Sequence, residues 1–445
     1  MIEIAAIGGY NEIGKNMTAV KIGDKVVMLD MGLHVSNFIR QQGREDVYAT
    51  SAKQLIKNDI IPDDRAVKDW WKLTELIIPS HAHLDHVGAT PFLADKYDAP
   101  IMGTPFTMEV LKSQLADNKV TLRNEMKVLN PNSTYTQSKG LQVEFIHTTH
   151  STPQTAMVAL HTPDGVVLYA NDYKFDNYPV LGKKPNYERL RELGKAGKVL
   201  ALIVDSTRAG EHHKTPSEEV AKAMLRDVML GTESEGKAVV VSTFSSHIAR
   251  MVSIADLGRK MGREVVFVGR SMEKYINAAD AAGVVKLAEN ARVLAFGKQV
   301  QRFFRKMEAD NTRGKYLFIA TGHQGEPGAV LSRMADGKMD FRFRKDDHVI
   351  FSCTVIPDDV NKQNRKELER KLLKQRVRIF TDLHVSGHAA REDHRDLISM
   401  VKPKYIIPAH GSAPFRKNMA SLAQEMGYPK ERVLLMGNGQ RKRLT

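Results

Sequence analysis

The chain has 445 residues, 42% of them hydrophobic and 27% charged, and a formal net charge of +14. This length favours two or more domains with their own cores, and this apolar fraction excludes global disorder. A single cysteine, Cys353, excludes an internal disulfide and a thiolate metal cluster, so any metal must be held by His, Asp or Glu, while the basic excess favours a polyanionic partner.

In chain order, the first nine residues alternate like a strand and show no basic leader. The longest apolar runs, such as Val199 to Val204 and Ala238 to Val241, fall far short of the roughly 20 residues that cross a bilayer. A soluble protein in a reducing cytoplasm, with no membrane partner, is expected. Short apolar strands are predicted at Val26 to Leu29, Leu76 to Ile78, Val143 to Ile146 and Val166 to Tyr169. Asp30, His81, His150 and Asp172 follow them within a few residues, where loops on a rigid sheet carry function. The stretch from Val35 to Asp64 reads as a polar, partly helical excursion.

From about Arg208, helix and strand alternate. Thr215-Pro-Ser-Glu218 reads as a capping box opening a helix whose apolar stripe is Val220, Met224, Leu225 and Val228. Strands predicted at Ala238 to Val241, Val265 to Val268, Tyr316 to Ile319 and Val349 to Phe351, separated by helical stretches, describe a parallel α/β domain. A basic helix near Asn361 to Gln375 follows, then two segments in which a strand runs into histidine, Ile379 to His384 and Tyr405 to His410. The simplest architecture is one metal domain interrupted by a second domain, with divisions at 1–207, 208–368 and 369–445.

The run from His81 to His86 packs His81, His83, Asp85 and His86 into six residues after a strand. Neutral imidazole and carboxylate suit zinc, and a loop leaving a strand can turn such side chains towards one point. His150, Asp172 and His410 also stand just beyond strands, but spacing alone does not join them to that run, and each by itself also reads as a satisfied polar group.

Taken in order, Asp30, the His81 to His86 run, His150 after Thr149 and Asp172 after Asn171 resemble the motifs of the metallo-β-lactamase superfamily. Asp205 before Ser206 and Thr207, His388 closing the His384 to His388 run, and His410 before Gly411 resemble its β-CASP group of nucleases. Within that group the segments Gly8 to Asn16, Ser242 to Ser246 and Thr321 to Pro327 resemble the ribonuclease J family, in a shorter, archaeal-type form. The resemblance implies an αββα sandwich with an inserted β-CASP α/β domain. It implies two Zn2+ per chain, with Mn2+ as the alternative: His81, His83 and His150 on one, Asp85, His86 and His410 on the other, and Asp172 bridging. Asp30 and Asp85 then join His388 and Asp205 as catalytic residues, with Asp30 orienting a ligand or the nucleophile and Asp205 holding His388 as the acid for the leaving oxygen. Ser245, Ser246, His384, Ser386, Gly387 and His388 are implied to hold substrate phosphate, although the serine pair taken bare reads as a helix N-cap.

The implied activity is processive 5′-to-3′ exoribonuclease action on single-stranded RNA, preferring 5′-monophosphate ends, in RNA decay and maturation, by a homodimer. The alternative is an endoribonuclease of the cleavage and polyadenylation type. A small-molecule metallohydrolase would have no use for the insert or for His388, and a decayed RNA-binding scaffold would have lost a ligand. Lys362, Arg365, Lys366, Arg370, Lys371, Lys374, Arg376 and Arg378, with Arg302, Arg305 and Lys306 as a second group, suit an RNA backbone, and each group also reads as a solvated helix face.

Overall fold

Strands buried on both faces read as continuous apolar runs, and the first strands show why. In the computed structural model, which describes residues 1–42, 47, 50–356 and 359–444, Ile4, Ala6, Val27, Leu29, Leu76 and Ile78 enter one core cluster, whereas the alternating Ala5, Ile7, Val26, Met28 and Ile77 enter another. A second sheet repeats the pattern. Val167, Tyr169, Ala201 and Ile203 join the first cluster, and Val166, Leu168, Leu202 and Val204 join a third. The two sheets share a central core, and helices cover their outer faces through Phe38, Leu55 and Leu111 on one side and Leu193, Leu397 and Met419 on the other. This is the expected αββα sandwich.

One sheet runs Arg441–Leu444, Ile2–Gly8, Met17–Ile22, Lys25–Leu29, Thr74–Ile78, Ile101–Gly103 and Met126–Val128; the other runs Tyr405–Ala409, Val199–Asp205, Gly165–Ala170, Ala156–Thr162, Leu141–His147 and Ser133–Ser138. Lys25–Leu29 and Thr74–Ile78 are parallel, as are Gly165–Ala170, Val199–Asp205 and Tyr405–Ala409. Two antiparallel steps give Leu141–His147 the same direction as Gly165–Ala170. Every strand that precedes a predicted ligand therefore ends on the same edge of its sheet.

This sandwich unit comprises Met1–Asn177, Lys183–Thr215 and Gly387–Thr445, and a second compact unit comprises Tyr178–Gly182 and Pro216–Ser386. The second unit is built on a wholly parallel sheet in the order Arg292–Leu294, Glu264–Val268, Tyr316–Ala320, Val239–Ser242, His348–Phe351 and Arg378–Phe380. Its division from the return segment lies later than the 368/369 expected from sequence, because Arg378–Phe380 pairs with His348–Phe351 and keeps the preceding helix, Asp359–Lys374, within the insert.

Local expectations also need correction. The helix Glu218–Gly231 is capped by Ser217, not Thr215. Thr215 is engaged elsewhere: its N–H donates to Asp393 and its hydroxyl to the His388 carbonyl. The strand expected from Ile379 to His384 is confined to Arg378–Phe380. Helices Val35–Gln42 and Ala52–Lys57 occur within the 35–64 excursion, of which residues 43–46, 48 and 49 lie outside the described residues. Among the described residues no helix is long and apolar enough to cross a membrane.

Candidate metal centre

After Thr74–Ile78 the chain bends at His81 and Ala82, and His83 takes the N-cap position of the short helix Leu84–Val87, so His81 and His83 come from the loop and Asp85 and His86 from a helical turn. The Nε2 atoms of His81 and His150 lie 3.0 and 3.1 Å from His83 Nδ1, and 3.6 and 3.5 Å from Asp172 Oδ2. The other oxygen of Asp172 serves a different group. Asp172 Oδ1 lies 3.3 Å from His86 Nε2 and 3.7 Å from His410 Nε2, and Asp85 Oδ2 lies 3.7 and 3.8 Å from the same two nitrogens. One carboxylate thus presents one oxygen to each of two side-chain groups that could hold a metal ion.

Each imidazole is steered by the nitrogen it turns away from this centre, the arrangement that fixes tautomer and ring orientation in metal sites. His86 Nδ1 donates to Asp30 Oδ2 at 2.7 Å, His410 Nδ1 to Asn16 Oδ1 at 2.9 Å, and His150 Nδ1 to the Gly387 carbonyl at 2.7 Å. His81 Nδ1 lies 3.1 Å from Ser80 Oγ, and His83 Nε2 3.3 Å from Ser151 Oγ. Asp30 also accepts from the Ser80 N–H and Tyr169 OH, both at 2.7 Å, and from Ser80 Oγ at 3.1 Å. Asp30 and His410 hold left-handed backbone at φ 62° and 52°. That costs a non-glycine residue on the order of 1 kcal/mol, which the hydrogen bonds of these side chains offset.

The residues present fit bound metal ions. Asp172 Oδ1 is buried without a hydrogen-bond donor, and an ionised carboxylate in such a place needs positive charge beside it. Burial pushes the pKa values of His81 and His150 well down, and that of His83 to about 4, so these three rings are neutral donors at physiological pH. At His86 burial acts in the same sense, but Asp172, Asp30 and Asp85 outweigh it and pull its pKa well above the ordinary value. Positive charge is favoured where these carboxylates meet.

His388 stands at the edge of this centre. Its Nδ1 donates to Asp205 Oδ2 at 2.9 Å, and its Nε2 lies 3.9 Å from Asp172 Oδ2. Burial opposes protonation, but Asp172 and Asp205 override it and lift the pKa to about 9. A Cβ added at Gly387 would meet the His150 ring and Ser151 Oγ at 3.1 Å, so this position tolerates only glycine without a shift.

The remaining predicted phosphate ligands belong to the second unit. Ser246 is buried, while Ser245, His384 and Ser386 are half-buried. The serine pair does not cap the following helix, Ile248–Lys260; the His247 side chain does, accepting from the Arg250 N–H. Within the basic group, Arg365 is withdrawn from solvent. It lies over Phe351 at 3.3 Å and bonds Glu369 and the His323 carbonyl, whereas Lys366, Lys374 and Arg376 are exposed. In the second group Arg305 is paired with Asp340.

Sequence reasoning assigned no role to Asn16, Ser80 or Tyr169. All three are polar residues beside or within apolar strand runs, a pattern that signals a buried hydrogen-bonding task without saying which one.

Residues 11–190 match the metallo-beta-lactamase superfamily, 236–367 the ribonuclease J beta-CASP domain, and 374–435 the Zn-dependent metallo-hydrolase RNA specificity domain. The chain is 42% identical to Ribonuclease J of Methanocaldococcus jannaschii, over 99% of this chain and 98% of that one. It is 44% identical to Ribonuclease J of Pyrococcus abyssi, over 96% and 94%. Ribonuclease J 1 of Streptococcus pyogenes is 30% identical over 100% of this chain and 74% of its own length. A crystal structure of a protein of unknown function from Enterococcus faecalis V583 shares the fold, with a TM-score of 0.66 at 17% identity over 99% of both chains. With these matches joined to the sandwich and its inserted domain, the chain belongs to the ribonuclease J family of the metallo-β-lactamase superfamily.

Proposed function

We propose that the chain is a metal-dependent ribonuclease that degrades single-stranded RNA processively from 5′-monophosphate ends. The observation that carries the metal-dependent hydrolysis is the Asp172 carboxylate, divided between two groups of side chains with His388 Nε2 3.9 Å from one of its oxygens, while the direction and the 5′-monophosphate preference rest on the family resemblance. His81, His83 and His150 would hold one Zn2+ and Asp85, His86 and His410 the other, with Asp172 shared; Mn2+ is the alternative because these donors accept both ions. Bound there, two divalent cations supply water activation near neutral pH and neutralise charge on phosphoryl oxygens.

The chain's own residues do the rest. Water oxygen bonds to phosphorus as the bond to the 3′-oxygen breaks, and His388 Nε2 gives its proton to that leaving oxygen. Asp205 holds the opposite ring nitrogen and favours the charged imidazolium before transfer. Asp85 takes the proton that the water loses, and Asp30 keeps His86 in the orientation its role requires. Ser245, Ser246, His384 and Ser386 carry hydroxyl and imidazole groups suited to phosphate oxygens, and the Gly387 N–H is a backbone donor for the same task. Lys366, Lys374 and Arg376 bind backbone phosphate without reading sequence.

The test uses end-labelled 5′-monophosphate, 5′-triphosphate and circular forms of one RNA. Mononucleotides from the first, slower release from the second and an intact circle are expected. Cleavage of the circle would instead assign endonuclease action of the cleavage and polyadenylation type. Light scattering tests the homodimer that the family resemblance implies.

A further inference from the structure

The segment that carries His388, residues 387–390, lies outside any helix, and only Ala390 makes an isolated bridge. It is nevertheless held at every residue. The Gly387 carbonyl accepts from His150 Nδ1 at 2.7 Å, the His388 carbonyl from Thr215 Oγ1 at 2.8 Å, Ala389 N–H donates to the Tyr173 carbonyl at 2.6 Å, and Ala390 N–H to Asp393 Oδ2 at 3.2 Å. Beneath this segment, Tyr173 OH and His394 Nδ1 meet at 2.8 Å, with both side chains fully buried and their rings crossed at 78°.

Tyr173 directly follows Asp172, and His394 lies in the first turn of the helix Arg391–Val401 that directly follows the His388 segment. Their bond therefore ties together the two pieces of chain whose side chains meet at 3.9 Å, Asp172 and His388. Packing alone does not call for it, since phenylalanine and leucine would fill comparable space without the cost of desolvating a hydroxyl and an imidazole. Burial pushes the His394 pKa to about 4 against the opposing pull of Asp205, so the ring is neutral, and Nδ1 bonds the phenol as acceptor or donor according to the tautomer. The bond has a direction as well as a length, and such a buried polar contact specifies one geometry where apolar packing tolerates several.

We propose that Tyr173 and His394 form a positioning pair that sets His388 against Asp172 for proton donation. The proposal rests on the reading of His388 as the acid. Two substrates separate the two claims: RNA, whose 3′-oxygen needs a proton to leave, and bis(p-nitrophenyl) phosphate, whose nitrophenolate leaves without one.

Tyr173→Phe and His394→Leu should each lower kcat on RNA about tenfold, the orienting value of one hydrogen bond, with KM and cation content unchanged and the nitrophenyl ester affected by about twofold at most. The double variant should be no worse than either single one, and His394→Asn, whose side-chain amide can bond the phenol as acceptor or donor, should recover activity. Equal losses on both substrates, additive losses in the double variant, or no recovery in His394→Asn would each overturn the pair. His388→Ala separates the premises: if it spares the ester while Tyr173→Phe does not, the pair fails and the acid stands; if it loses both substrates alike, the acid reading fails and takes the pair with it.

Discussion

The two units solve the problem of buried charge in opposite ways. In the sandwich, Asp172 keeps one oxygen without a hydrogen-bond partner while the nitrogens of His86 and His410 converge on it at 3.3 and 3.7 Å. In the insert, the fully buried Arg250 is closed on all sides: its guanidinium engages both oxygens of Glu218, and Nη1 donates to Ser352 Oγ at 2.8 Å and to the Ser352 carbonyl at 3.0 Å. A buried ion that is fully paired specifies structure, whereas imidazoles and carboxylates that converge in this way could hold a metal ion.

That contrast can be broken most directly at Asp172. Asp172→Ala should abolish RNA turnover and lower the cation content measured by elemental analysis; full activity with fewer cations would mean that the centre is structural, like Arg250. His388→Ala should lower kcat by about 10²–10⁴-fold, the contribution of a general acid, while cation content is kept. A concurrent loss of cations would move His388 into the ligand set.

On the other side of the comparison, Arg250→Met leaves the buried Glu218 with only the His247 ring, 3.5 Å away, in place of its guanidinium partner and should cost about 3–5 kcal/mol in unfolding experiments. A variant as stable as the parent would show that the pair is not structural. Burial alone would raise the Glu218 pKa, but His247 and Arg250 outweigh it and hold the group well below the ordinary glutamate range. Its folded pKa is therefore depressed, so its stabilising contribution is present above the unfolded-state pKa and is lost as pH falls towards the folded value. The difference in stability between parent and Arg250→Met should narrow in acid.

Smaller effects sharpen the comparison. Asp30→Asn weakens the acceptor that orients His86 and should reduce cation affinity by roughly 10–100-fold, read by chelator competition. Replacing Lys366 and Lys374 with alanine should leave the cation centre intact and reduce the salt slope of single-stranded RNA binding by roughly 0.7 for each phosphate that is no longer neutralised. An unchanged slope would assign these lysines to a solvated helix face.

Much of the site was legible because its ligands follow apolar strands, and the parallel strands of a layered fold deliver such residues to one edge. That rule made His81, His150, Asp172 and His410 candidates, but only the family resemblance joined the last three to the His81 to His86 run. Tyr173 and His394 were not candidates, because neither residue type nor spacing reveals a bond between positions 221 residues apart in sequence. The capping box at Thr215 failed for a related reason: its local pattern was sound, but Asp393 and the His388 carbonyl claimed the threonine, and Ser217 was left to cap the helix. Likewise Arg365 carries the charge of an RNA contact and spends it on Phe351 and Glu369.

By itself the amino-acid order determined the strands, the donor types and the need for non-thiolate ligands, because apolar runs, imidazoles and the lone cysteine are properties of local composition. Only the folded chain decided which nitrogen of each histidine turns inward, that Asp172 faces both groups of side chains, and that Arg250 and Arg365 are internal. Those choices depend on partners brought together by sheet pairing and core burial, and no local pattern encodes them.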